Sequence, residues 1–492
     1  MPSAHARPDT ATPAKHPAGL PVLFFTEMWE RFSYYGMRAL LVLYLVNAVG
    51  YAREDALEIY GIYTMLVYLT PIVGGYLADR YLGMRKAILI GGLTMMLGHF
   101  AMAVPSLLNV ALGLLVIGNG FFKPNISTLL GTLYREHDPR RDGGFTIFYM
   151  GINLGAFLAP LVAGTLGERI GWHWGFMSAG VGMAIGLIVF LRGQHTLGSA
   201  GFRSNQTRLT RGDWMQIVIA TAMTIPLVLV AIFLWHWMSA WWLPLPLFIK
   251  FAIGLSVLAT AIAAPRLFSQ RKTDNAPLTR EDWHSLLVIT LIAIFVILFW
   301  MGFEQAGGTM NLFADKQTER VLFGWEIPAS SFQAINPLAI VALAPLLAPL
   351  WIRLDRSRYA ISDPAKQGIG MMVLGLGFVV MAIAQERADA IGKVGPEWLA
   401  GAYLLHTLGE LMLSPIGLSM VTKLAPARLG AMMMGIWFTA NGIANYLAGV
   451  LEARLAGSGI PLYWFLVATS IAGGAALLIL SPLLKRLMHG RG

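Results

Sequence analysis

Long apolar stretches separated by short polar loops make up most of this chain of 492 residues. A transmembrane helix needs about 20 apolar residues to cross a hydrocarbon core of ~30 Å. Stretches of that length cover residues 20–48, 58–79, 87–105, 107–130, 144–168, 173–191, 214–235, 243–265, 282–312, 328–352, 367–385, 397–421, 430–452 and 461–484. The pattern therefore predicts an all-α polytopic membrane protein with fourteen transmembrane helices.

The composition agrees with a chain whose main solvent is lipid. Hydrophobic residues make up 56% of the sequence and charged residues only 13%, whereas soluble domains carry roughly 25% charged residues. This excludes soluble enzymes, nucleic-acid-binding proteins and disordered proteins. The sequence contains no cysteine, which also excludes disulfide bonds, thiol nucleophiles and thiolate metal sites.

The net charge of +10 is explained by where the basic residues lie. An even number of spans places both termini on one face of the membrane, and 25 of the 36 Lys and Arg residues fall in the tails and loops of that face. By the positive-inside rule both termini are cytoplasmic, and we expect a multi-pass protein of the plasma (inner) membrane without a nucleic-acid partner. Residues 1–19 lack the features of a cleaved signal peptide, so we expect them to form a cytoplasmic tail.

Three pairs of similar segments indicate two related halves. The members of each pair are 274 to 291 residues apart: Glu30-Arg31 with Glu304-Gln305, Asp79-Arg80 with Asp355-Arg356, and residues 118–124 with residues 409–415. These matches predict an N-terminal six-helix bundle at 20–191 and a C-terminal six-helix bundle at 282–488. Residues 192–281 between them would form basic cytoplasmic linkers and an inserted helix pair at 214–265 that faces lipid.

Seven charged residues lie inside the spans of the two bundles, where each costs about 2.5–3.5 kcal/mol on insertion scales. They are Glu27, Glu30, Arg31, Arg38, Lys123, Glu304 and Glu410. At about 100° per residue, the four in the first span share one stripe of its helix with Tyr34, so this stripe does not face lipid. Such charges either form ion pairs that only hold helices together or serve transport. Their recurrence in both halves favours transport.

Polar and aromatic residues occur in other spans as well. They are Tyr68, Tyr149, Asn153, Trp300, Asn336, Trp437 and Asn441. Core packing or hydrogen bonding between helices explains any one of them alone, whereas the group as a whole is typical of a pocket lining. His406, one turn before Glu410, is either a structural histidine or a proton relay.

The segment from Glu27 to Gly36, EMWERFSYYG, resembles the ExxERFxYY signature of the proton-dependent oligopeptide transporter family, within the major facilitator superfamily. Further segments are similar to motifs of that family: residues 118–125, 148–155, 332–337 and 409–415. The resemblance implies a major facilitator fold that imports di- and tripeptides with protons by alternating access. It implies no cofactor and no metal, because protons are the coupling ion. The second span lacks the histidine that animal members use, so proton coupling would rest on carboxylates.

The resemblance also implies roles for the buried polar residues. Proton coupling is expected of Glu27, Glu30, Arg31 and Glu304. Peptide binding is expected of Tyr34, Arg38, Tyr68, Lys123, Tyr149, Asn153, Trp300, Asn336, Glu410, Ser414 and Trp437. Within this set, Arg38 and Lys123 would hold the peptide carboxylate and Glu410 the amino end, and Glu304 would pair with Arg38 when the outward mouth is shut. Four carboxylates against three cations leave one surplus carboxylate, which would take up a proton when buried.

Two alternatives remain at this point. A facilitator for another solute, such as a drug, a sugar or nitrate, would share the span pattern, although charges matched to a zwitterion argue against neutral solutes. An intramembrane enzyme is disfavoured because the sequence contains no HExxH, GxSxG or similar motif.

Overall fold

A computed structural model of the chain describes residues 15–135, 138–202, 210–219, 221–222, 279–358, 360–425 and 429–488, and most of them are helical. The first six long helices are α1 Leu20–Tyr44, α2 Arg53–Leu77, α3 Met84–Met102, α4 Leu108–Thr132, α5 Arg141–Ala159 and α6 Trp172–Gly193. Turns of π-helix extend α1, α2 and α5, at Leu45–Val49, Ala78–Leu82, Pro160–Gly164 and Leu166–Ile170. We call α1–α6 the N-terminal helices.

The remaining elements are the C-terminal helices α7–α13 and one short hairpin. They are α7 Arg280–Phe303, α8 Thr309–Gln317, β1 Val321–Leu322, β2 Trp325–Glu326, α9 Ile335–Asp355, α10 Asp363–Ile391, α11 Glu397–Leu424, α12 Gly430–Leu455 and α13 Leu462–Leu487. A 3₁₀ turn, Glu304–Gly307, joins α7 to α8, and a second one, Ala329–Ala334, leads into α9. The two strands pair in antiparallel register.

Ten helical segments of the described residues are long and apolar enough to cross a membrane. A multi-pass membrane protein, as the apolar stretches predict, is therefore confirmed. Twelve of the fourteen predicted spans fall on described helices, although α3 and α12 are not among the ten segments. The two spans of the inserted pair lie almost entirely outside the described residues.

The ninth predicted span, residues 282–312, differs from the structure because it is not one continuous helix. Helix α7 ends at Phe303, and the chain passes through the 3₁₀ turn before α8 begins at Thr309. The break occurs at the glycine pair Gly307 and Gly308, a sequence feature that accounts for many sharp helix kinks. As a result Glu304 lies in the turn and not on a helix face.

The hairpin was not predicted from the sequence. Its turn places Phe323 at φ 53° and Gly324 at φ 77°. Two successive residues at positive φ are typical of a tight hairpin turn, but a phenylalanine is rare at such a position. The Phe323-Gly324 pair is therefore a weak signal when only the sequence is read.

Packing within each group of helices depends on glycines at close contacts. Helix α3 packs on α4, and α10 packs on α11. A Cβ on Gly118 would lie 2.7 Å from the carbonyl oxygen of Gly91, and one on Gly409 would lie 2.6 Å from that of Gly370. Small residues of this kind allow helix backbones to approach closely in membranes. Between the two groups, α2 packs on α12 and α5 packs on α9.

Candidate functional site: a polar cavity between the two groups of helices

A cavity of about 530 Å³ lies between the N-terminal and the C-terminal helices. Its walls include ten of the eleven residues expected to bind peptide: Arg38, Tyr68, Lys123, Tyr149, Asn153, Trp300, Asn336, Glu410, Ser414 and Trp437. Tyr34 is the exception, because its buried ring lies beside Arg31, 5.0 Å from the guanidinium carbon. The adjacent Tyr35 lines the cavity instead.

The cavity extends towards the membrane face that carries the termini. Its lining includes Ser127 near the end of α4, Phe145 near the start of α5 and Met434 near the start of α12. All three helix ends lie on that face, since the helices alternate in direction. The cavity therefore extends close to the face of the termini.

Polar contacts close the opposite face. The carboxylate of Glu168, in the π-turn after α5, accepts hydrogen bonds from the backbone N–H groups of Ala329 at 2.7 Å and of Ser330 at 2.9 Å, and from the Ser330 hydroxyl at 2.5 Å. It thereby caps the 3₁₀ turn that leads into α9. At the same level Arg53 pairs with Glu452 at 2.5 Å. Both contacts join an N-terminal to a C-terminal helix segment.

Arg38 forms a third link between the two groups of helices. Its guanidinium pairs with the carboxylate of Glu304 and donates to the Tyr60 hydroxyl at 2.6 Å. Glu304 is 3% exposed and Tyr60 is 1% exposed, so both partners of the arginine are shielded from solvent. Arg38 itself also lines the cavity. Gly307 makes room for it, because a Cβ there would lie 1.9 Å from the Tyr60 hydroxyl oxygen.

Glu27, Glu30 and Arg31 form a separate buried cluster on α1. None of them is more than 3% exposed. Arg31 pairs with Glu30 through two hydrogen bonds, whereas its Nε lies 3.5 Å from the nearest Glu27 oxygen. Neither carboxylate oxygen of Glu27 receives a hydrogen bond from a residue of the described chain. The cluster thus contains one well-paired carboxylate and one that depends on a longer contact.

Glu410 meets Asn336 on the C-terminal side of the cavity. The side-chain nitrogen of Asn336 donates to Glu410 Oε2 at 2.8 Å and to the Thr407 hydroxyl oxygen at 3.1 Å. His406 also lines the cavity, and its ring packs on Phe378 at a centroid distance of 4.5 Å. Within the described residues neither His406 ring nitrogen has a hydrogen-bond partner, which differs from a structural histidine with both nitrogens satisfied.

Sequence reasoning missed three residues that hold this site together: Tyr60, Glu168 and Thr407. Tyr60 and Thr407 lie within spans and carry one polar atom each, so their sequence signal is the same as that of any packed tyrosine or threonine. Glu168 is close to a span end, where a charge requires no explanation. In the part of the chain that the structure describes, no cluster of His, Asp and Glu could hold a metal ion.

Comparison with known proteins gives consistent relatives. The sequence model of the POT family matches residues 85–458. The chain is 36% identical to the peptide transporter YePEPT of Yersinia enterocolitica, and the match covers 96% of each chain. It is 34% identical to a di-/tripeptide transporter of Lactococcus lactis over 95% of this chain and 96% of that protein. A crystal structure of a mutant of the peptide transporter POT in complex with alafosfalin superimposes with a TM-score of 0.79 at 37% identity, with 96% of each chain covered.

Proposed function

This chain belongs to the POT family of transporters and is not an enzyme, and from that premise we propose that it imports di- and tripeptides together with protons by alternating access. The observation that carries the proposal is the cavity between the two groups of helices, with cations on one wall and a carboxylate on the other. Its volume of about 530 Å³ falls in the range of pockets that enclose small ligands. The similarity to the di-/tripeptide transporter of Lactococcus lactis supports the substrate class.

The charges of the cavity suit a short zwitterion. Arg38 and Lys123, from the N-terminal helices, would hold the peptide carboxylate, and Glu410, from the C-terminal helices, would hold the amino end. A ligand that contacts both groups of helices can draw them together, since each end has its counter-charge on a different wall. The peptide backbone and side chains would contact the remaining expected lining residues, Tyr68, Tyr149, Asn153, Trp300, Asn336, Ser414 and Trp437.

Proton coupling is proposed for the two buried carboxylate networks. The ion pair of Arg38 with Glu304 supports the idea that protonating Glu304 releases the arginine for the peptide. In the cluster on α1, Glu27 is the carboxylate without a hydrogen bond from the described residues, so we assign the surplus proton to it. The Glu30–Arg31 ion pair lies beside it. With one proton and a zwitterionic peptide, the inward step carries one positive charge, worth about 2.3 kcal/mol per 100 mV.

We propose the following arrangement in the membrane. Two six-helix bundles of the major facilitator fold occupy residues 20–191 and 282–488, and the inserted pair lies within 192–281. The matched glycine contacts of α3 with α4 and of α10 with α11 support related bundles. With the tail 1–19 and the C-terminus in the cytoplasm and the protein in the plasma (inner) membrane, the cavity would be open to the cytoplasm and closed to the outside.

The test uses the purified full chain in proteoliposomes. A labelled dipeptide should accumulate when the outside is made acidic or the inside negative, and a protonophore should abolish the accumulation. A panel of unlabelled di- and tripeptides should compete, whereas sugars and nitrate should not. Accumulation that depends on neither the pH gradient nor the potential would refute proton coupling, and competition by sugars or nitrate without competition by peptides would refute the substrate class.

A further inference from the structure

Thr407 lies behind the wall of the cavity and contacts a residue that lines it. The side chain is fully buried, with 0% exposure, and it is not among the lining residues. Its hydroxyl donates its hydrogen to the carbonyl oxygen of Tyr403, one turn earlier in α11, at 2.7 Å. The hydroxyl oxygen accepts a hydrogen bond from the Asn336 side-chain nitrogen at 3.1 Å.

These contacts fix which way the Asn336 amide points. A hydroxyl has one hydrogen, and Thr407 uses it towards Tyr403, so Thr407 presents only an acceptor to Asn336. Glu410 as a carboxylate is also an acceptor. Both partners therefore require the NH₂ group of Asn336. The amide oxygen of this cavity-lining residue has no donor among the described residues and is not among the buried unpaired atoms, so we infer that it is accessible from the cavity.

We propose that Thr407 is a positioning residue that sets substrate specificity by holding the Asn336 amide oxygen towards the cavity as an acceptor for the amino end of the substrate. This inference rests on the proposed peptide transport. An ammonium group has three N–H donors, and it can donate to Glu410 and to Asn336 Oδ1 together because those two side chains are already hydrogen-bonded neighbours.

The threonine matters most when the substrate arrives. Once Glu410 turns to the ammonium group, the NH₂ group of Asn336 loses one of its two acceptors among the described residues, and Thr407 is the one that remains. Without that hydroxyl the amide can rotate and present N–H donors to an ammonium group, which carries donors only. Substrates with a free amino end would lose an acceptor, whereas substrates without one would lose nothing.

The experiment compares a dipeptide with its analogue in which hydrogen replaces the amino group. Inhibition constants and transport rates are measured in proteoliposomes for the parent, Thr407→Val and Thr407→Ser. In Thr407→Val the dipeptide KM should rise about tenfold, its maximal rate should stay within twofold, and the analogue should bind as in the parent. Thr407→Ser keeps the hydroxyl and should restore the parent ratio of the two affinities.

A matched control is Thr439→Val in α12. The Thr439 hydroxyl also donates to the carbonyl one turn earlier, Gly435, at 2.8 Å. Among the described residues it has no amide partner, and it does not line the cavity. This variant should keep the parent ratio. If Thr407→Val is not folded, Thr407→Ala removes the same hydroxyl and is subject to the same expectation.

An unchanged affinity ratio in the hydroxyl-free variants, or an equal loss for both ligands, would overturn the role of Thr407. Failure of the parent itself to transport the dipeptide would instead refute the proposed function, so the two failures are distinguishable.

Discussion

Replacing Glu168 by glutamine should open the face of the transporter that lies opposite the termini. The carboxylate accepts three hydrogen bonds from the turn that leads into α9, and Arg320 lies 3.7 Å away. Hydrogen bonds to a charged group contribute about 1.5–3 kcal/mol each, and neutral ones about 0.5–1.5 kcal/mol. A glutamine has one acceptor oxygen. Ala329 donates to one Glu168 oxygen and Ser330 to the other, so the NH₂ group of the glutamine would face the backbone donor of one of these two residues.

The substitution should therefore reduce the free energy that favours the closed arrangement by about 2 kcal/mol, since water replaces some of the lost partners. That corresponds to about a thirtyfold shift towards the open arrangement. The chain has no cysteine, so a single introduced cysteine can report on access to the cavity. With the substitution Ile152→Cys in the cavity wall, an impermeant thiol reagent added from the outside of cells should react more than tenfold faster in the Glu168→Gln background.

The matched control is Glu386→Gln on the same face. Glu386 accepts a hydrogen bond from Trp464 at 2.8 Å, but both residues belong to the C-terminal helices, so this bond does not change when the two groups of helices separate. Labelling should stay at the parent rate. Equal labelling of Glu168→Gln and the parent would refute the assignment of Glu168 as a contact that keeps this face closed.

Three further predictions concern other contacts. Glu304→Gln should retain exchange of peptide across the membrane but lose accumulation driven by a pH gradient, and normal accumulation would contradict the coupling role. Gly307→Ala should reduce transport at least tenfold, measured as dipeptide uptake at equal protein level, because the new Cβ would lie 1.9 Å from the Tyr60 hydroxyl oxygen. The Arg140 guanidinium hydrogen-bonds the Asp138 carboxylate and lowers the pKa of that carboxyl from 3.8 to about 2. The stabilisation from this pair is therefore present above pH 3.8 and is lost as the pH falls through about 2. The same guanidinium donates to the carbonyl of Lys15 at 2.5 Å; Asp138→Asn should therefore speed tryptic cleavage after that lysine at pH 8, and an unchanged rate would contradict this link.

Much of the candidate site could be predicted from sequence because a charge or amide inside an apolar span is costly and therefore conspicuous. This signal identified the charges Arg38, Lys123 and Glu410 and the amides Asn153, Asn336 and Asn441, all of which line the cavity. It failed for Tyr34 and Tyr35, which are adjacent and chemically identical, because the helix orientation that separates them depends on the neighbouring helices. It also gave no reason to select Thr407, whose importance comes only from its contact with Asn336.

The sequence by itself determined that the main solvent of the chain is lipid and where the twelve predicted spans that fall on described helices lie, since both follow from the length of each apolar stretch and the distribution of its charges. The tertiary structure alone decided which distant residues pair. Arg38 meets Glu304 across 266 positions of the chain, and Glu168 meets Ser330 across 162. It also decided that Arg31 pairs closely with Glu30 and leaves Glu27 with only a longer contact. The physical reason is that apolar burial is a local property of a stretch of sequence, whereas a hydrogen bond requires two atoms within about 3 Å, and only the packing of the helices sets that distance.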